Sequence, residues 1–142
     1  MTRTQTRELA FELLYSLEIQ KVAESEQTEQ IQLFIEQQEI EEEKVKKYIL
    51  ETTQGIEEHE EEILKNISDN LKEKWEITRI SKINITLLKL AIYEILCTKL
   101  PYKVVVNEVV ELAKKYGDDN SASFINGILA NIIKKNGISE EE

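Results

Sequence analysis

The chain has 142 residues, one cysteine, one histidine and a formal net charge of −10. That length suits one domain able to bury about two-thirds of its unfolded surface, and a lone cysteine excludes an internal disulfide and points to a reducing compartment. Such acidity repels nucleic acid on average, so any RNA contact must come from a local basic patch with the acidic residues facing elsewhere.

The opening stretch, MTRTQTRELAFELLYS, is interrupted throughout by polar residues and lacks the shape of a signal peptide. Thr2 and Gln5 stand three apart, which fits a capping box at the start of a first helix. Ala10, Leu13, Leu14 and Leu17 form its core stripe. Arg3, Arg7, Phe11 and Tyr15 follow each other at spacing four, setting two guanidiniums and then two rings along one side. Guanidiniums fork onto phosphates and rings stack on bases. Spacing alone favours the plainer meaning, solvated arginines beside core aromatics.

Residues 21–43 are rich in Glu and Gln, and Ile31, Phe34 and Ile35 predict a short second helix there. The run Glu39 to Glu43 reads as a solvated helix start, where negative charge suits the helix dipole. From Glu43 to Leu71 the period predicts one long helix, with Val45, Ile49, Thr52, Ile56, His59, Ile63, Ile67 and Leu71 near one face. Gly55 weakens that helix without ending it. His59 reads as a structural histidine. A zinc site needs three or four ligands, which a single cysteine and a single histidine do not supply, so neither metal nor cofactor is expected. Glu57 to Glu62 reads as an outward face rather than an active site.

Trp75, Ile77 and Ile80 predict a short connection packed on the core, and Ser81 is placed to cap the next helix. That helix, Lys82 to Thr98, is apolar almost all round through Leu87, Leu88, Leu90, Ala91, Ile92, Ile95 and Leu96, which puts it at the centre of a bundle. Cys97 reads as a small buried side chain rather than a nucleophile. Pro101 ends the helix.

A pair of helices follows and organises the whole chain. Val105, Val109, Leu112, Ala113 and Tyr116 line the first, with Lys114 and Lys115 favoured by the dipole in its last turn. Gly117 is predicted to be left-handed, and Asp118, Asp119 or Asn120 to cap the second helix. Ile125, Ile128, Leu129, Ile132 and Ile133 carry its apolar face. Asn126-Gly127 is a hairpin dipeptide, but its flanks have helical period, so Gly127 is assigned the close approach of a neighbouring helix. After Lys135 the tail, with Gly137 and a final acidic run, is expected to fray. No stretch alternates with period two, no internal repeat or hinge is visible, and no run is long enough to span a bilayer. The residues therefore predict a single compact all-α domain over 1–142, with about six helices around the 82–98 segment, cytoplasmic and with no evident catalytic group.

The residues PYKVVVNEVVELAKKYG followed by DDNSASFINGIL strongly resemble the C-terminal signature of the NusB family of transcription antitermination factors. LAIYEIL at Leu90 to Leu96 and RELAFELLY at Arg7 to Tyr15 match the same family in the same order, and only residues 21–72 match loosely. The resemblance implies a fold of six or seven helices in two packed bundles. It also implies a function: binding the boxA element of ribosomal RNA leader transcripts together with NusE, a ribosomal protein, so that RNA polymerase in the antitermination complex reads through terminators.

By the same resemblance Arg3 and Arg7 fall in the family's arginine-rich N-terminal motif, and Tyr15 matches an aromatic along the RNA path. Asn120, Ser121 and Phe124 match a second RNA-contacting segment at the start of the last helix. Lys82 and Asn84 match part of the surface facing NusE. Two departures stand out. Thr4, Gln5 and Thr6 separate the two arginines where many relatives have a denser cluster, and Asn120 stands where relatives commonly carry Asp. The first implies weak RNA binding by the protein alone and dependence on its partner; the second partly offsets it. An rRNA methyltransferase with a NusB-like N-terminal domain is the rival from another class. It would need a cofactor-binding α/β domain after Glu142 and a glycine-rich loop, which this sequence does not contain. A protein-interaction module or homodimer with little RNA binding is the third reading.

Overall fold

The computed structural model describes residues 1–71 and 76–138. Helix α1 (Arg3–Gln20) opens with the expected capping box: the Thr2 hydroxyl accepts the Gln5 N–H, and the Gln5 side chain accepts the Thr2 N–H. Lys21 ends it in the left-handed region, at φ 51°. Helix α2 (Glu24–Gln37) is the short second helix, and it buries Ile31 and Ile35. These two side chains join Leu13 and Leu17 of α1, and Ile40, Val45 and Ile49 after them, in the smaller of two apolar cores.

The single long helix expected from Glu43 to Leu71 is instead two, α3 (Glu43–Glu58) and α4 (Glu60–Asp69), hinged at His59 with φ −105° and ψ 15°. Val45 and Ile49 of α3 lie in the smaller core, whereas Ile56 of α3 and Ile63 and Ile67 of α4 belong to the larger one, so α3 itself spans both cores and the break falls within the larger. The apolar spacing of Ile56, Ile63 and Ile67 runs through the break, so the period does not mark it. Glu60, Glu61 and Glu62 suit the positive end of the new helix.

Trp75 and the acidic end at 139–142 lie outside the described residues. Ile77–Arg79 form a 3-10 turn, and Ile80 packs into the larger core. The Ser81 hydroxyl accepts the Asn84 N–H at 3.1 Å and so caps α5 (Lys82–Ile92). Leu87, Leu88, Leu90, Ala91 and Ile92 of α5 are fully buried, and the helix packs against α1 on one side and the last two helices on the other. It is the centre of the bundle, as its nearly all-round apolarity requires.

Residues Tyr93–Cys97 continue α5 as one wide π-turn, in which the Thr98 N–H reaches back to the Tyr93 carbonyl at 3.2 Å. Such turns shift the side chains that follow. Cys97, expected to be buried, stands at the end of this turn and is half-buried.

Helices α6 (Tyr102–Tyr116) and α7 (Ser121–Lys135) form the organising pair, and Asn126-Gly127 sits inside α7 rather than in a hairpin. Two glycine expectations are corrected. Gly117 is extended, at φ −90° and ψ −170°, not left-handed. Its glycine is required by space, because a Cβ there would overlap the Ser121 side chain and stand 2.8 Å from the Ala113 carbonyl. At Gly127 an added Cβ would meet nothing within 4 Å among the described residues, so no neighbouring helix there requires the glycine. The left-handed helix end falls at Gly137 instead (φ 63°), where the Ile138 N–H bonds the Ile133 carbonyl. Among the described residues the architecture is all-α, seven α-helices on two apolar cores, and no helix is long and apolar enough to cross a membrane.

Candidate nucleic-acid interface

Helix α1 lies beside α6 along a polar seam. At one end the Thr4 hydroxyl donates to Glu108 at 2.6 Å. At the other, Lys115 and the Tyr116 hydroxyl both donate to Glu8, and Tyr116 also reaches Glu12 at 3.0 Å. Glu8 and Glu12 are one helical turn apart, which lets one tyrosine touch both. Below them the rings are continuous: Phe11 stands 5.0 Å from Tyr116 and stacks on Tyr15 at 6.0 Å with an interplanar angle of 21°. Phe11 is core, and Tyr15 is half-buried.

The seam sets its own electrostatics. Hydrogen bonds from Lys115 and Tyr116 hold the Glu8 carboxyl below its ordinary range. Burial, and then the hydrogen bond to Glu8, push the Tyr116 phenol upward. Glu8, Glu12 and Glu108 lie within the seam, so carboxylates already engage Thr4, Lys115 and Tyr116 there.

Arg7, expected to hold a phosphate, is 5% exposed. Its Nε and Nη2 donate to the two carboxylate oxygens of Glu94 at 2.7 and 3.2 Å, and its Nη1 donates to Glu108 at 3.3 Å. The guanidinium fork is filled from within the protein. Burial opposes its charge, but the hydrogen bond and charge of Glu94 outweigh burial and raise its pKa. Arg3 remains exposed, on a rim shared with Met1, Thr6 and Lys44.

The α6–α7 corner follows directly from Tyr116. The Asp118 carboxylate accepts the Asn120 N–H at 2.8 Å and the Ser121 hydroxyl at 3.3 Å, and Ser121 in turn accepts the Asp118 N–H at 3.0 Å. Ser121 is 1% exposed, so its hydroxyl locks the corner rather than facing solvent. Asn120 is exposed and its own side chain does not cap α7; of the three expected candidates Asp118 is the one whose carboxylate takes an N–H at the helix start. Phe124 is half-buried against the larger core. Lys82 is exposed at the start of α5, 3.7 Å from Glu18, whereas Asn84 is 9% exposed and offers little surface.

The structure therefore brings Tyr15 near the α6–α7 corner through Phe11 and Tyr116. It leaves Arg3 twelve residues away on α1, about 18 Å along the helix axis. Sequence reasoning missed Lys115 and Tyr116 as members of the seam. Their last-turn position was legible, but not the two α1 carboxylates that meet them.

The family model described as NusB family matches residues 4–134. The chain belongs to the NusB family. A transcription antitermination protein NusB from Clostridium acetobutylicum is 44% identical, with both chains covered in full. Among solved structures, NusB of T. maritima superposes with a TM-score of 0.83 at 34% identity, covering 95% of this chain and 92% of that one. A crystal structure of the antitermination factors NusB and NusE in complex with dsRNA superposes at 0.82 with 26% identity, covering 95% and 99%. NusB membership accounts for the fold and makes this chain a transcription antitermination factor of that family.

Proposed function

We propose that this NusB-family protein, acting as one helical domain, binds boxA-type single-stranded RNA of ribosomal leader transcripts together with NusE and helps RNA polymerase read through terminators. The observation that carries this reading is that buried Phe11 bridges the half-buried rings of Tyr116, at the α6–α7 corner beside Lys115, and Tyr15 on α1, which sets two accessible rings along one path. Exposed bases stack on rings and phosphates meet cations. Asn120, Phe124 and Tyr15 supply the contacting surface, Arg3 a cation at the far end of α1, and Lys82 part of the surface for NusE. Arg7 and Ser121 act by holding α1 and the corner in place. A solved relative in complex with NusE and dsRNA lends the reading weight.

The same geometry favours weak binding by the protein alone. Arg7 is filled by Glu94, and Lys115 is already engaged by Glu8. Titrating a boxA-type RNA at several salt concentrations, with and without NusE, tests both points. The expected result is weak binding alone and much tighter binding with NusE, further weakened by Asn120→Asp. Equal, tight binding in both cases overturns the partner dependence. No binding even with NusE overturns the RNA reading and leaves the interaction module.

A further inference from the structure

The hinge between α3 and α4 and the π-turn after α5 meet at one place, and three side chains with metal-binding chemistry meet there with them. We propose that His59, Glu62 and Cys97 form a three-ligand site for a borderline-soft divalent cation of the zinc class. One His59 nitrogen, one Glu62 carboxylate oxygen and the Cys97 sulfur all lie within 4.8 Å of one another. His59 Nδ1 stands 3.6 Å from Glu62 Oε2. Ligand atoms at zinc distances of about 2.0–2.3 Å in tetrahedral directions stand roughly 3.3–3.7 Å apart. The histidine–carboxylate pair is thus already at coordination spacing, and the sulfur, within 4.8 Å of the other two ligand atoms, closes the remaining gap by a side-chain adjustment.

Three features of the backbone create this meeting. His59 is the hinge residue itself, and Glu62 lies three residues later on α4, where spacing three puts two side chains on one face. The π-turn carries Cys97 off the core. Gly55 lets the two segments close up, since a Cβ there would overlap the Tyr93 ring, which also lies 6.4 Å from the His59 ring. Counting only cysteine and histidine hid the site in the sequence, because the third ligand is one glutamate among many.

Thiolate with imidazole selects zinc-like ions over magnesium or calcium. One carboxylate completes a three-ligand set and leaves a fourth position for water. Binding displaces the thiol proton to solvent, because the thiolate is the ligand. A cation held there would clip the α3–α4 hinge to the π-turn. This inference stands apart from the RNA reading.

The test uses the full-length protein, reduced, stripped of metal and titrated anaerobically with cobalt chloride, then back-titrated with zinc chloride. The expected result is a near-ultraviolet thiolate-to-cobalt band saturating at one equivalent and removed by zinc. It should vanish in Cys97→Ser, and affinity should fall at least about tenfold in His59→Ala and in Glu62→Gln. Absence of the band overturns the proposal. So does a band of unchanged affinity in both His59→Ala and Glu62→Gln, which would mean cobalt held by the thiolate alone. Far-ultraviolet circular dichroism verifies that each variant keeps its helices, and His59→Gln replaces His59→Ala if the latter unfolds.

Discussion

Arg7 and Glu94 face each other across the inside of the protein as a two-point ion pair, Nε to Oε1 at 2.7 Å and Nη2 to Oε2 at 3.2 Å, with the Glu94 side chain 1% exposed. The pair joins α1 to the π-turn, so an arginine that spacing alone makes solvated and the family resemblance assigns to RNA is a strut between two elements.

Removing one partner leaves the other charge buried and unpaired. Arg7→Met is expected to lower stability by ~3–5 kcal/mol, and a double variant that also carries Glu94→Leu to regain most of it. Urea denaturation of the two single variants and the double checks this. A double variant no more stable than either single would show that packing, not charge, sets the loss. Arg7→Ala is consequently a poor probe of RNA binding, because it perturbs the scaffold first.

Arg3 is the cleaner probe. It is exposed and belongs to no apolar core. Arg3→Ala is expected to leave the thermal midpoint unchanged while lowering the salt slope of RNA binding by about 0.7, one phosphate contact on a single strand. An unchanged slope in salt titrations would remove Arg3 from the interface.

Two glycines should respond in opposite senses. Gly117→Ala pushes a methyl into Ser121 and the Ala113 carbonyl and should destabilise the α6–α7 corner. Gly127→Ala meets no atom of the described residues within 4 Å, stands within a helix, and should stabilise by about 0.5–1 kcal/mol. Chemical denaturation of both variants measures the contrast, and a loss at Gly127 would contradict the open surroundings.

Glu8 predicts an acid-side dependence. Its folded pKa is lowered from an ordinary 4.5 by Lys115 and then Tyr116. A depressed carboxylate contributes stability above its unfolded pKa and loses it as pH falls through the folded value. Thermal midpoints of the native protein should therefore fall more steeply below pH 4.5 than those of Glu8→Gln. Parallel curves would show that the Glu8 contacts add nothing to folding.

Much of the fold was legible before any coordinates. The Thr2–Gln5 capping box, the apolar α5 and the period of α6 and α7 are all local signals, and each element formed where they indicated. The division into two apolar cores was not legible, and neither was the hinge at His59, because the heptad from Ile56 to Ile63 stays in register across it. Gly117 and Gly127 were misassigned for a similar reason, since what a missing Cβ accommodates depends on neighbours that local sequence does not name.

By itself the sequence determined the helical class, most of the helices and the family, because period, capping and signature are written in residues close along the chain. The tertiary structure alone decided which side chains are free to act. Arg7 finds Glu94 from 87 positions away, and Lys115 finds Glu8 from 107. A charge at a given spacing reads the same whether solvent or a distant carboxylate faces it, and only packing brings that carboxylate into place.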